Sequence, residues 1–334
     1  MHFLNRQDLL QETAMRLINI TDEGKRFIDE WENGKDYVVA HTSGSTGTPK
    51  EIRLPKADMA CSAQATIRRF GITSESRMLC PLSASYIAGK MMIVRALLSG
   101  CELIMEQPSN HPLHSDYGKI DLMAVVPSQC HGLLQNRYAG KFLRNLIVGG
   151  APLTYELEHA LCRMPWQTFA TYGMTETCSH VALRKTGSRS YTAMPGITFS
   201  IDNRGCLIIN APEYSFGKLA TNDIVELSSA DSFKWLGRFD NVINSGGIKF
   251  YPEQLEKLLE HAFDFPFFFK GMPDSKWGEA IEMIIECLDA DIRTNIISQA
   301  EKACMQHLPH HAIPKRITIV DALPRTDNGK LLRI

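Results

Sequence analysis

None of the nine cysteines stands in a C-x-x-C pair, and Cys61, Cys80, Cys101, Cys130 and Cys162 are scattered through apolar or helical contexts. Without closer grouping there is no ligand set for zinc and no disulfide framework, so the pattern reads as buried free thiols of a reducing cytosol. A long apolar run is missing too. The stretch from Ile87 to Met105 is broken by Lys90, Arg95 and Glu102, which argues against a membrane span. The start, Met1 to Asp8, has no basic segment followed by an apolar one, so no signal peptide is expected. Nor does one sign of charge prevail. Lys and Arg number 36 against 37 Asp and Glu, a net charge of −1, so nothing global attracts nucleic acid or an anionic membrane. The G-x-x-x-x-G-K-[ST] pattern of P-loop NTPases is also absent from the one loop that invites it.

That loop is Thr42-Ser43-Gly44-Ser45-Thr46-Gly47-Thr48-Pro49-Lys50. Tyr37-Val38-Val39-Ala40 before it reads as a short buried strand. Gly44 and Gly47 let backbone amides approach an anion, Ser43, Ser45, Thr46 and Thr48 add neutral donors, and Lys50 adds a point charge. Such a loop suits a polyphosphate that is held and then released; composition alone fits a surface Ser/Gly turn equally.

With 334 residues there is room for more than one domain. Residues 7–32 carry Leu9, Leu10, Leu17, Ile18, Phe27, Ile28 and Trp31 at helical spacing, predicting two amphipathic helices. After the loop, helices over 56–70 and 87–99 end at Gly71 and Gly100. Short apolar strands at 78–82, 102–105, 122–126, 145–148 and 168–170 alternate with helices from about 128 and over 152–163. This predicts a mostly parallel α/β sheet with ligands at the carboxyl ends of its strands. From about 190 to 239 hairpin strands predict a β-rich, antiparallel or barrel-like part. Beyond Asp240 lies a compact α+β pattern. The expected division is a large α/β domain over 1–239 and a small mobile α+β domain over 240–334.

Several short stretches carry chemistry. In Thr171-Tyr172-Gly173-Met174-Thr175-Glu176-Thr177 an aromatic ring can stack on a base and a glycine allow close approach. The Thr175 hydroxyl can bind phosphate and the Glu176 carboxylate can hold magnesium. A polar helix start explains it as well. Asp223 in Thr221-Asn222-Asp223 is a good acceptor for a vicinal diol, and Asn222 is a residue that tolerates positive φ where a turn requires it. Close to the C-terminus stands Pro324-Arg325-Thr326-Asp327-Asn328-Gly329-Lys330.

Together with Gly149-Gly150-Ala151-Pro152 and Gly237-Arg238-Phe239-Asp240-Asn241-Val242-Ile243-Asn244-Ser245-Gly246-Gly247-Ile248-Lys249, these ordered stretches resemble the adenylate-forming enzymes. That family holds acyl-CoA synthetases, carrier-loading adenylation domains and luciferases. The resemblance implies that residues 42–50 hold phosphate and that Gly149, Gly150 and Ala151 lie beside adenine. Thr171 to Met174 would bind the nucleotide, with Thr175 and Glu176 at the phosphates and Mg²⁺. Asp223 and Arg238 would meet the ribose, and Asp240 would be the hinge. Ser245, Gly246 and Gly247 would line the pantetheine tunnel, where small residues permit close approach. Lys330 would stabilise charge as the carboxylate attacks the α-phosphate.

A narrower resemblance rests on Tyr86-Ile87-Ala88-Gly89-Lys90-Met91-Met92 with Arg95, and on Ser179-His180-Val181-Ala182-Leu183-Arg184. These look like the branch that joins o-succinylbenzoate to CoA in menaquinone biosynthesis. It implies an acid site at Arg95, Tyr86, Lys90 and His180, with Arg95 interrupting an apolar helix. A snorkelling or structurally paired arginine is the competing account. His41 and His180 have no paired base nearby in sequence. Tyr86 and Met91-Met92 read as helix core or pocket wall. Two places depart from the family: about forty residues precede residue 42, where most relatives carry more, and Ser83-Ala84-Ser85 replaces an aromatic and a histidine.

The implied partners are a carboxylic acid, ATP and CoA, with Mg²⁺, in the cytoplasm, and with a homodimer as a further option. Loading of a carrier protein, and nucleotide binding without turnover, are the rival functions. Thioester formation with free CoA separates the first, and pyrophosphate exchange the second.

Overall fold

The computed structural model describes residues 17–41, 51–325 and 331–333. The glycine- and hydroxyl-rich loop 42–50, Lys330 and the helix expected before residue 17 therefore lie outside the described residues.

The first described elements are β1 (Leu17–Ile18) and α1 (Asp22–Glu32), followed by β2 (Tyr37–His41) and β3 (Glu51–Pro55), which pair antiparallel. Then come α2 (Lys56–Phe70), β4 (Arg77–Cys80), α3 (Ile87–Ser99), β5 (Glu102–Met105), β6 (Leu122–Val125), α4 (Pro127–Leu134) and α5 (Ala139–Phe142). After them stand β7 (Asn145–Val148), α6 (Tyr155–Cys162) and β8 (Gln167–Gly173). Helix starts and stops follow local chemistry. The Thr154 hydroxyl accepts from Leu157 N at 3.3 Å, so α6 begins at Tyr155 rather than at Pro152. Gly71 and Gly100, with φ of 62° and 66°, close α2 and α3 in the left-handed conformation.

Strands β1, β5, β4, β6, β7 and β8 lie side by side in that order and run parallel. Burial on both faces explains their unbroken apolar runs. One face packs against a core that includes Phe27 of α1, Met59 and Ala63 of α2, and Met91 and Ile93 of α3. The other packs against Cys130 and Leu133 of α4 and Leu157 and Leu161 of α6. In α3 the consecutive residues Met91, Met92, Ile93 and Val94 are all fully buried, each contributing about 1.5–3 kcal/mol of apolar burial.

Two sequence expectations change. Leu17 and Ile18 form a strand rather than a helix, in register with Leu103 and Ile104, because the open edge of β5 satisfies their backbone groups. The β-rich part is antiparallel, one of the two forms expected for it, and not a separate barrel. Strand β9 (His180–Lys185) folds back antiparallel on β8 directly after a 3-10 turn at Thr175–Thr177. Strands β10 (Tyr191–Ala193), β11 (Thr198–Ile201), β12 (Cys206–Ala211), β13 (Gly217–Ser229) and β14 (Ser232–Arg238) then continue the same sheet, in the order β10-β14-β13-β12-β11. Backbone bonds to β9 carry one twelve-stranded sheet across the change from parallel to antiparallel.

A second sheet follows, built from β15 (Ile243–Ser245), β16 (Ile248–Phe250), β17 (Phe267–Asp274), β18 (Gly278–Glu286) and β19 (Arg316–Val320). Helices α7 (Pro252–Leu259) and α8 (Arg293–His307) pack on it around Leu255, Leu259, Phe269, Met283, Ile285 and Ala300. Gln254 Nε2 donates to Leu236 O at 2.8 Å, and Glu260 accepts from Tyr155 N at 2.7 Å, linking α7 to β14 and α6.

Candidate active site

The parallel strands end where three candidate stretches meet. At the end of β7, Gly149 N donates to Val125 O at 3.1 Å, and Thr171 Oγ1 of β8 donates to Val148 O at 3.2 Å. A Cβ at Gly149 would stand 2.5 Å from Thr171 Oγ1, so a side chain there collides with the neighbouring strand. Gly173 is tighter still: its Cβ would lie 2.3 Å from the backbone oxygen of Ser179, where β9 turns back. Both glycines are thus required by the meeting of strands, independently of any ligand.

Tyr172, between them, reaches across the sheet. Its hydroxyl donates to Asp223 Oδ2 at 2.7 Å, and its ring packs edge-on against Phe233, centroids 5.1 Å apart. Burial first, and the Asp223 charge second, push the phenol well above its usual range. Trp235 Nε1 donates to Asp223 Oδ1 at 3.1 Å, and Arg238 Nη1 lies 3.8 Å from the same oxygen. Arg238 Nη2 also lies 3.2 Å from Asp240 Oδ2, which accepts from Asn222 Nδ2 at 3.3 Å. Asp223 from one motif and Arg238 and Asp240 from another therefore form one polar cluster. Thr221-Asn222-Asp223 is part of β13 rather than a turn, and Asn222 is not among the positive-φ residues; a register shift beside Ile224 takes up the irregularity.

Beyond Gly173, Thr177 Oγ1 donates to Ser179 O at 2.7 Å and accepts from Met174 N at 3.0 Å, drawing Thr175–Thr177 into its 3-10 turn. Cys178, buried with φ of 61°, completes the reversal. Glu176 projects from the turn, exposed and without a hydrogen bond or ion pair among the described residues. Among the described residues no three His, Cys, Asp or Glu side chains converge on a metal position. Mg²⁺ needs no such cage: one carboxylate, phosphates and water suffice, and a free Glu176 fits that donor set.

The acid-site candidates separate. Arg95 is 2% exposed and Nη2 donates to Ser179 Oγ at 2.8 Å. Among the described residues Nη1 has Met92 Sδ at 3.5 Å and Nε has no partner. Burial lowers the guanidinium to about 10, so it stays charged at neutral pH. His180 completes the cluster, with Nδ1 3.3 Å from Ser179 Oγ and Nε2 3.2 Å from Thr66 Oγ1. Burial, then Arg95, drive its pKa well below 6.5, so the ring is neutral.

Lys90 is not part of this cluster. Its ammonium lies 3.0 Å from Glu30 Oε2 and 4.7 Å from the Phe27 ring centre, and Glu30 also accepts from Val39 N of β2 at 2.8 Å. Tyr86, immediately before α3, is 61% exposed. Arg184 grips both oxygens of Glu158, at 2.6 and 2.9 Å. Of the cations Lys90, Arg95 and Arg184, Arg95 alone lacks a carboxylate among the described residues. Ser245 ends β15, and Gly246 and Gly247 form the turn into β16. Gly246 has φ of 59°, and a Cβ on it would stand 2.6 Å from the Trp277 ring.

Sequence reasoning missed Trp235, which nothing in the primary structure marks as a partner of Asp223. It also missed Thr66, although Asp58, Ser62 and Thr66 recur every fourth residue on α2 and all are buried. That polar stripe was a visible signal.

The profile of the AMP-binding enzyme family matches residues 7–214, and that of the AMP-binding enzyme C-terminal domain matches residues 269–330. The 2-succinylbenzoate–CoA ligase of Listeria monocytogenes is 25% identical over 92% of this chain and 70% of its own length. That of Bacillus subtilis is 26% identical over 89% of this chain and 67% of its own. A solved acyl-CoA synthetase (AMP-forming)/AMP-acid ligase II-like protein from Dyadobacter fermentans is 31% identical, covering 99% of this chain and 94% of that one, with a TM-score of 0.61. The B. subtilis o-succinylbenzoate CoA synthetase in complex with its acyl-adenylate intermediate has a TM-score of 0.75 at 23% identity, covering 88% and 67%, and is similar in fold. The chain belongs to the AMP-binding enzymes, the adenylate-forming family, and is an AMP-forming acid–CoA ligase.

Proposed function

We propose that this ligase activates o-succinylbenzoate, the acid that its curated relatives' names give, and that it does so in the cytoplasm as a step of menaquinone biosynthesis. In the first step an oxygen of the succinyl carboxylate attacks the α-phosphate of ATP, forming the acyl adenylate and expelling pyrophosphate. In the second, CoA thiolate attacks the acyl carbon and AMP leaves.

Asp223 and Arg238 meet the ribose, Tyr172 lies against adenine beside Gly149, Gly150 and Ala151, and residues 42–50 hold phosphate. Bound Mg²⁺ would neutralise phosphate charge, with Glu176 and Thr175 as the residues that hold it and the phosphates. Lys330 stabilises charge in the first step. The parts 1–239 and 240–334 turn about Asp240, bringing Ser245, Gly246 and Gly247 to the pantetheine arm.

One observation carries the choice of acid: the buried guanidinium of Arg95 beside Ser179, with no carboxylate on it among the described residues. A buried charge without a partner is costly, and a diacid whose ring carboxylate reaches Arg95 offsets that cost on binding. Mass-spectrometric detection of acyl-CoA across aromatic and aliphatic mono- and diacids tests the reading. Succinylbenzoate should be turned over best; a monoacid preferred over every diacid rules it out. Acyl transfer to a carrier protein but not to free CoA would change the acceptor.

A further inference from the structure

We propose that Ser179 and Thr66, joined through the ring of His180, are positioning residues that aim the guanidinium of Arg95 and so set the preference for a second carboxylate in the acid. This rests on the reading of Arg95 as the residue that receives that carboxylate.

The argument is one of donor accounting. Thr66 Oγ1 donates its single proton to Ser62 O, one helical turn earlier on α2, at 3.2 Å. It therefore meets His180 Nε2, 3.2 Å away, as an acceptor, which places the ring proton on Nε2. His180 Nδ1 is then an acceptor and takes the proton of Ser179 Oγ at 3.3 Å. With its proton committed, Ser179 Oγ accepts from Arg95 Nη2 at 2.8 Å. Every bond in the chain Arg95–Ser179–His180–Thr66–Ser62 thus has one direction.

Thr66 and His180 are buried, and a neutral ring is the form this direction requires. Reversal would need Thr66 Oγ1 to give up its bond to the Ser62 carbonyl. The chain occupies one hydrogen of Nη2 and leaves the hydrogens of Nε and Nη1 without an oxygen acceptor among the described residues. Arginine recognises a carboxylate through two parallel N–H bonds, so tethering one nitrogen fixes the plane in which that pair can form.

The same polar stripe is anchored at its other end. Asp58 accepts from Ser215 N at 2.8 Å and Ser215 Oγ at 2.5 Å, so its carboxylate is engaged there and not by Arg95. The guanidinium consequently keeps its charge for a ligand.

The test compares wild type, Ser179→Ala, Thr66→Val, Thr66→Ser and Arg95→Ala in the full chain. Acyl-CoA formation is measured with succinylbenzoate and with the analogue lacking the ring carboxylate. Loss of one neutral or charge-assisted hydrogen bond corresponds to about 3- to 30-fold. Ser179→Ala should lower kcat/KM for the diacid by that factor, chiefly through KM, and leave the analogue within about 2-fold. Thr66→Val should act in the same direction, and Thr66→Ser, which keeps the hydroxyl, should recover most of the loss.

Equal losses on both acids for Ser179→Ala and Thr66→Val would make the chain merely structural and overturn the proposal. The analogue also reports folding, since a misfolded variant loses both activities. If Arg95→Ala discriminates between the acids while Ser179→Ala does not, the relay fails and the reading of Arg95 stands. If Arg95→Ala costs both acids alike, the reading of Arg95 itself fails.

Discussion

The hydroxyl of Tyr172 donates to Oδ2 of Asp223 at 2.7 Å across a separation of 51 residues. Trp235 donates to the other oxygen of the same carboxylate at 3.1 Å. The proposed ribose acceptor is therefore held from two sides before any nucleotide arrives, and each carboxylate oxygen still has a lone pair for a ribose hydroxyl. Preorganisation of this kind reduces the ordering cost of binding.

Tyr172→Phe keeps the ring packing on Phe233 and removes one of these holds. The KM for ATP should rise about 3- to 10-fold in ATP–pyrophosphate exchange, with the KM for the acid little changed. An unchanged KM for ATP would mean that Trp235 alone orients Asp223.

Arg95→Met separates function from stability. Replacing an unpaired buried cation by an apolar side chain of similar length should raise the melting temperature by about 2 °C or more. Loss of a charged hydrogen bond of about 1.5–3 kcal/mol should lower kcat/KM for the diacid about 10- to 150-fold. A lower melting temperature in differential scanning fluorimetry would show that the guanidinium is satisfied by the protein.

Lys330→Ala should slow adenylation by about 10²-fold or more, the scale for removing a preorganised charge-stabilising group. Thioester formation from a supplied acyl adenylate should continue. Equal loss in both half-reactions would contradict a lysine used in one step.

Asp240→Pro tests the hinge. Proline fixes φ near −65°, so a backbone that must change angles at Asp240 would be held in one state. Pyrophosphate release should persist while acyl-CoA formation stops. Normal rates in both steps would move the pivot elsewhere.

His180 contributes a pH dependence of known direction. In the folded chain its ring stays neutral well below 6.5, whereas in the unfolded chain it takes up a proton near 6.5. Its contribution to stability is complete above that pH and is lost progressively as the pH falls below it, by up to about 1.4 kcal/mol per pH unit. Urea unfolding between pH 7 and 5 should show a steeper fall for wild type than for His180→Asn. Parallel curves would mean that the folded state accepts the proton.

Local features were legible because local chemistry sets them. Gly71 and Gly100 end their helices where a left-handed residue is needed, and the buried runs at 102–105 and 145–148 form strands of the predicted extent. The hairpin turn at 202–205 joins β11 to β12 as its Asp, Asn and Gly residues suggest. Leu17 and Ile18, by contrast, have helical spacing and still pair with β5, because an unpaired sheet edge outweighs a weak periodicity.

The order of motifs along the chain, with its glycines, hydroxyls and charges, was sufficient by itself to indicate the family and the two-part architecture. What the primary structure could not decide is which side chains find each other. Lys90 and Arg95 stand on the same helix, yet Lys90 meets the carboxylate of Glu30 and Arg95 meets the hydroxyl of Ser179. Five residues along a helix turn the side chains about 140° apart, and the element packed on each face supplies or withholds the counter-charge. Asp223 acquired Tyr172 and Trp235 in the same way, through the register of strands that are distant in sequence. Tertiary packing alone left the Arg95 guanidinium charged, buried and without a carboxylate among the described residues, since the energy of a buried charge depends on neighbours that no local pattern specifies.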